Sequence, residues 1–164
     1  MNDSKRNVAL DTAFVTPFLS SVKSVLTTMA NTEVQPQAPQ KAKSNLPQGD
    51  LAAIMPMATE EIVGQLIISF QAPTILAIAE SMLMDKFTEI NDEILDVAGE
   101  LTNMITGSAK ATISETHDFD MARPFSVLRQ EYEKLKLTAE NQIIVPYKTD
   151  AGLFFIELGF VHIE

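Results

Sequence analysis

The chain has 164 residues, enough for one domain with a sizeable core, and 46% of them are hydrophobic. Its 12 basic and 22 acidic residues give a formal charge of −10, which argues against nucleic acid or anionic lipid as a partner, since both need clustered Lys and Arg. There is no cysteine, so disulfides, thiolate metal sites and cysteine nucleophiles are excluded, in keeping with a cytoplasmic setting.

No stretch is predicted to span a membrane, because the apolar runs are interrupted by Glu80, Glu157 or a proline. No apolar stretch follows the positive charges of the N-terminus, and the next segment is broken by Pro17 and Lys23, so no signal peptide is expected. Thr16-Pro17 has the form of an N-cap followed by proline at the first helical position. Apolar residues at Phe18, Leu19, Val22, Val25, Leu26 and Met29 then recur at helical spacing, which predicts a helix over 17–30. From Gln35 to Asp50 the composition shifts, with Pro36, Pro39 and Pro47 set among Gln, Ala and Lys, and the segment reads as a flexible loop within one domain covering 1–164.

Leu51–Met57 and Val63–Phe70 are predicted as a pair of strands. Pro73 opens a second helix through about Met84, and Glu89, Asp92 and Glu93 suit the first turn of a third. That third helix is expected to reach Ile105 and to have the option of continuing to about Glu115. The last third reads as sheet, with strands at Phe125–Leu128, Leu135–Pro146 and Leu153–Ile163 and a turn at Thr149–Gly152. The expected class is α+β, a largely antiparallel sheet covered by two long helices and a shorter one.

The third helix carries the most chemistry. Positions i, i+4, i+7 and i+11 share a face at about 100° per residue, and Asp96, Glu100, Asn103 and Gly107 occupy them. The opposite face holds Ile90, Ile94, Val97, Ala98, Leu101 and Ile105. The commonest use of such a polar face is solvation. Asparagine argues the other way, being a mediocre helix former where better surface residues exist.

The pattern Asp96-x-x-x-Glu100-x-x-Asn103 resembles the signature of the CheC/CheX/FliY phosphatases, and Gly99-Glu100-Leu101-Thr102-Asn103-Met104-Ile105-x-Gly107 resembles its CheX form. Phe14-Val-x-Pro-Phe-Leu with Val25-Leu-x-Thr-Met-Ala30 is similar to the CheX opening helix. Gly64-x-Leu-Ile-Ile-Ser-Phe70, Val145-Pro-Tyr147 and Gly152-Leu-Phe-Phe-Ile-Glu157 stand where CheX-like segments stand. The resemblance covers nearly the whole chain outside Gln35–Asp50. It implies a CheC-like fold, a cytoplasmic homodimer, and hydrolysis of the aspartyl phosphate of a phosphorylated CheY-like response regulator. Asn103 would orient the attacking water and Glu100 would pair with the regulator's active-site lysine, with Asp96 and Gly107 as partner contacts. No cofactor of the chain's own is implied, Mg being supplied by the regulator. A non-catalytic regulator-binding or flagellar-switch module, and a scaffold whose helix face is only solvated, stay open beside the enzyme.

Laying the first helix on the third by matching Met29 to Met104 puts Ser21, Val25 and Thr28 at the Asp96, Glu100 and Asn103 positions. The first copy lacks carboxylate and carboxamide, so one site per chain is expected. His117 with Asp118 and Asp120 is too small a set to argue a metal, and Glu89, Asp92, Glu93 and Asp96 read as complements to the helix dipole. His162 sits in a strand pattern and reads as structural, and the eight methionines read as core filler. The apolar run Phe154, Phe155, Ile156, Leu158 and Phe160 demands either a central strand or cover from another chain.

Overall fold

A computed structural model describes residues 7–10, 12–113 and 118–163 of the chain. Among the described residues the architecture is the α+β arrangement expected: one eight-stranded sheet in which every strand pairing is antiparallel, with three α-helices packed on one face. The chain runs α1 (Thr12–Ala30), β1 (Gln35–Pro36), β2 (Gln40–Lys41), β3 (Leu51–Ala58), β4 (Ile62–Phe70), α2 (Ala72–Leu83) and α3 (Asp92–Ile113). It continues through β5 (Asp120–Met121), β6 (Phe125–Leu128), a 3₁₀ helix at Arg129–Lys134, β7 (Ile143–Thr149) and β8 (Gly152–His162).

Strand order is β1-β7-β8-β4-β3-β5, with β2 also on β7 and β6 also on β3. The apolar β8 therefore lies in the middle, paired with β4 on one side and β7 on the other. Its hydrophobicity follows from that position alone. Phe154, Ile156, Leu158 and Phe160 point into the core under the helices together with Leu51, Ala53, Met55, Leu66, Ile68 and Phe70. A smaller apolar cluster on the other face joins Ala52, Ile54, Ile67 and Tyr132, with Val127, Leu135 and Leu137 packed against it.

Several elements differ from the sequence expectation: β5 and the 3₁₀ helix have no counterpart in it, and Glu89 and Ile90, expected on the third helix, precede its first residue, Asp92. α1 begins at Thr12, so Pro17 lies inside the helix and Thr16 is not its cap. The apolar stripe extends upstream through Phe14 and Val15, both buried, and the burial of that extra turn outweighs the backbone bond Pro17 cannot make. The strand expected at Leu135–Pro146 begins only at Ile143, after irregular chain whose Ala139 is held by the Gln65 amide: Gln65 Nε2 donates to Ala139 O (2.8 Å) and Ala139 N donates to Gln65 Oε1 (3.2 Å). The segment read as a loop over 35–50 carries two short strands, Gln35 opposite Lys148 and Gln40 opposite Ile144.

Other expectations match closely. Thr59 Oγ1 accepts from the backbone N–H of Glu61 and of Ile62 (both 3.0 Å), closing the β3–β4 hairpin. At the β7–β8 turn, Thr149 Oγ1 accepts from Ala151 and Gly152 N–H (both 3.2 Å) and donates to Gly152 O (2.8 Å), with Gly152 at φ 146°, a value only glycine takes easily. The third helix takes the longer of the two expected lengths and reaches Ile113; its last expected residues, 114–115, lie outside the described residues.

Candidate functional site

α3 starts where Asn91 caps it: the Asn91 Oδ1 accepts from Ile94 N–H (3.0 Å), and Asp92 and Glu93 fill the first turn. Ile94, Val97, Ala98, Leu101, Ile105, Ala109 and Ile113 are buried on the sheet side. Thr102 and Thr106 are also fully buried, and each hydroxyl donates 2.9 Å back to the carbonyl four residues earlier, so their polarity is satisfied within the helix.

The other side of the helix is the one the sequence singled out. Asp96, Glu100, Asn103 and Gly107 are all exposed. Among the described residues, no hydrogen bond or salt bridge engages the side chains of Asp96, Glu100 or Asn103. Their polar atoms are thus free for an incoming group. A Cβ built at Gly107 meets nothing within 4 Å, so the glycine leaves open space one turn beyond Asn103.

The face is also one wall of a groove of about 810 Å³. Asp92, Asp96, Glu100 and Asn103 line the helix side, and Arg123, Pro124 and Phe125 line the opposite side. β6 is tied to the helix by Ser126, whose Oγ donates to Leu95 O (2.8 Å); at Gly99 an added Cβ would touch Ser126 Oγ at 3.5 Å. Sequence reasoning placed the helix residues but missed this second wall. It lies 20 to 29 residues from Asp96, Glu100 and Asn103 in sequence, and the pairing of Phe125 with Ile54 on β3, with the Ser126 bond to the helix, brings it there.

Of the matching positions on α1, Thr28 is exposed and the other two are spent on packing. Ser21 and Val25 are buried (6% and 8% exposed), and Ser21 Oγ donates to Ser108 Oγ of α3 (3.3 Å). His117, the first of the weighed metal ligands, lies outside the described residues. Among the described residues no three His, Asp or Glu side chains gather closely enough to hold a metal ion. His162 is half-buried at the end of β8. No described helix is long and apolar enough to cross a membrane.

One carboxyl stands apart. Glu157 on β8 is fully buried; its Oε2 accepts from Ser69 Oγ (2.7 Å) and Gln48 N–H (3.3 Å), while Oε1 has no partner among the described residues. Burial pushes its pKa up to about 7 despite those two bonds. It is not among the groove-lining residues and plays no part in the site.

The family model for chemotaxis phosphatase CheX matches residues 51–148. Among solved structures, a CheC-like superfamily protein from Shewanella sp. PV-4 is 38% identical, with 92% of this chain and 98% of that one covered and a TM-score of 0.82. The chemotaxis protein CheX from Vibrio vulnificus is 37% identical over 90% and 98% of the two chains, with a TM-score of 0.79. The CheX–CheY–BeF3–Mg complex from Borrelia burgdorferi shares the fold at 19% identity, with a TM-score of 0.75 over 93% and 99% of the chains. No curated protein matches the chain.

Proposed function

The chain belongs to the CheX family of chemotaxis phosphatases, and from that premise we propose that it hydrolyses the aspartyl phosphate of a CheY-like response regulator through the exposed face of α3. The observation that carries the reading is the pairing of a free carboxylate, Glu100, with a free carboxamide, Asn103, one turn apart on the wall of an open groove. A CheX is known in complex with CheY in Borrelia burgdorferi, which supports a receiver domain as the partner.

The chemistry needs little more than this. An acyl phosphate is already activated, so the catalyst's main task is to hold one water in line with the phosphorus. The Asn103 carboxamide both donates and accepts, so it can fix a water in position and in orientation. Glu100 pairs with the active-site lysine of the regulator and aligns the docked helix; Asp96 extends the same acidic strip one turn toward the N-terminus. The open space at Gly107 lets the partner's backbone approach. The regulator brings the Mg that counters the phosphoryl charge, so the chain needs no metal of its own. The acidic strip favours a partner surface that presents that cationic pair.

The test is phosphate release from a phosphorylated receiver domain. Asn103→Ala should slow turnover by about 100-fold, equivalent to about 2.7 kcal/mol of barrier, while thermal melting stays unchanged. Glu100→Ala should weaken both docking and rate. If Asn103→Ala hydrolyses at the parent rate, the catalytic reading fails; if the protein binds the regulator and leaves its decay untouched, it is a binding module instead. The size-exclusion mass of the pure protein tests the homodimer that we also propose.

A further inference from the structure

The geometry points to the Arg123–Phe125 segment as the second half of the docking site: Phe125 as the apolar anchor for the receiver domain and Arg123 as the cation that accompanies its phosphoryl group. This rests on the phosphatase reading for the identity of the occupant.

Four observations lead there. Phe125 is 45% exposed, and it is the one aromatic among the exposed large hydrophobic residues described. It does not stand on a loose loop. It is paired opposite Ile54 in the sheet, and its neighbour Ser126 is bonded straight to the helix that carries Glu100 and Asn103. A rigid aromatic held at a fixed distance from the reacting groups loses little freedom on binding, which is what makes such side chains anchors.

The third observation is electrostatic. Asp92, Asp96 and Glu100 place three carboxylates on one wall of the groove, and the whole chain carries −10. A phosphorylated partner approaching that wall brings further negative charge. Its lysine answers Glu100 and its Mg counters phosphoryl charge, and the remaining phosphoryl oxygens can still take a further positive group from this side. Arg123 is exposed in the same groove, and among the described residues it forms no salt bridge, although three carboxylates line the facing wall. A planar guanidinium suits phosphoryl oxygens better than any other side chain. Fourth, the walls differ in character: acid and amide on the helix, an aromatic at the start of β6 and a cation two residues before it. That asymmetry fixes the orientation of a docked partner as well as its affinity.

The experiment is steady-state hydrolysis, with separate titration calorimetry, on an isolated CheY-type receiver domain phosphorylated by acetyl phosphate. Phe125→Ala should raise KM and Kd tenfold or more with kcat retained, and Phe125→Leu should recover part of the loss. Arg123→Glu should raise KM by a similar factor, while Arg123→Lys, which keeps the charge and loses the planar fork, should fall between Arg123→Glu and the parent. Melting curves check each fold; should Phe125→Ala be destabilised, Phe125→Leu and Arg123→Glu decide. Unchanged KM and Kd in folded Phe125→Ala and Arg123→Glu, alongside a slow Asn103→Ala, would overturn the second wall and leave the phosphatase reading intact. A parent-like Asn103→Ala with Phe125-dependent binding would do the reverse. Failure of the parent to bind any receiver domain would overturn both.

Discussion

Replacing Glu157 by glutamine tests the energetics of the sheet's hidden face. The carboxyl is fully buried, its Oε1 has no partner among the described residues, and its pKa is raised from 4.5 to about 7 chiefly by desolvation. In the unfolded chain it returns to the ordinary carboxylate range. Between pH 4.5 and 7 the folded state therefore keeps a proton that the unfolded state has lost, and stability tied to this group is fully present below about pH 4.5 and is lost as pH rises through 7. At about 1.4 kcal/mol per pH decade, the full loss amounts to about 3 kcal/mol. Glutamine mimics the protonated acid: its oxygen can still accept from Ser69 and Gln48, and its amide occupies the unpartnered Oε1 position. The unpaired amide adds a constant offset, so the informative quantity is the change in the stability difference with pH. Urea unfolding of parent and Glu157→Gln at pH 4, 5.5, 7 and 8.5 should show the variant gaining on the parent by about 3 kcal/mol across the series, most of it between pH 5 and 7.5. Parallel curves at all four values would refute the reasoning.

Two further substitutions isolate local terms in α3. Gly107→Ala adds a methyl group into open space on an exposed helical position, so chemical denaturation should show a gain of about 0.5–1 kcal/mol, while affinity for the receiver domain should fall if the partner's backbone comes as close there as proposed. Asn91→Ala removes the acceptor for the Ile94 N–H and should cost about 1 kcal/mol in the same assay; Asn91→Asp, which keeps the acceptor, should recover most of it.

The helix that matters was readable because its two faces differ so sharply. Ile94, Val97, Leu101 and Ile105 announce one side, and the residues left over are the polar motif, which the structure leaves exposed. The strand pair β3–β4 was equally plain from composition. What local pattern could not supply was tertiary compensation. Pro17 looked like a helix start because proline is cheap there, but Phe14 and Val15 had core to fill and drew the helix a turn further back. Leu135 and Leu137 looked like strand residues and instead cover the back of the sheet beside Tyr132, whose hydroxyl donates to Gly49 O (2.8 Å). The groove's second wall was invisible for a different reason: nothing in Arg123 or Phe125 marks them until β6 is laid along β3. Glu157 reads in the sequence as an interruption of an apolar run and as the end of a CheX-like segment; nothing there says that Ser69 and Gln48 would bond to it in the interior.

The seam between the first and third helices has a consequence for engineering. Giving α1 its own working face would require a carboxylate at Val25, which is 8% exposed, beside a Ser21 already bonded to Ser108. An unpaired charge placed there would cost several kcal/mol, a large share of the roughly 5–15 kcal/mol that usually holds a domain together, so point substitution would weaken the protein in the course of doubling its valency. A two-headed version would have to be built by re-cutting the helix seam, or more simply by joining two copies of the chain end to end.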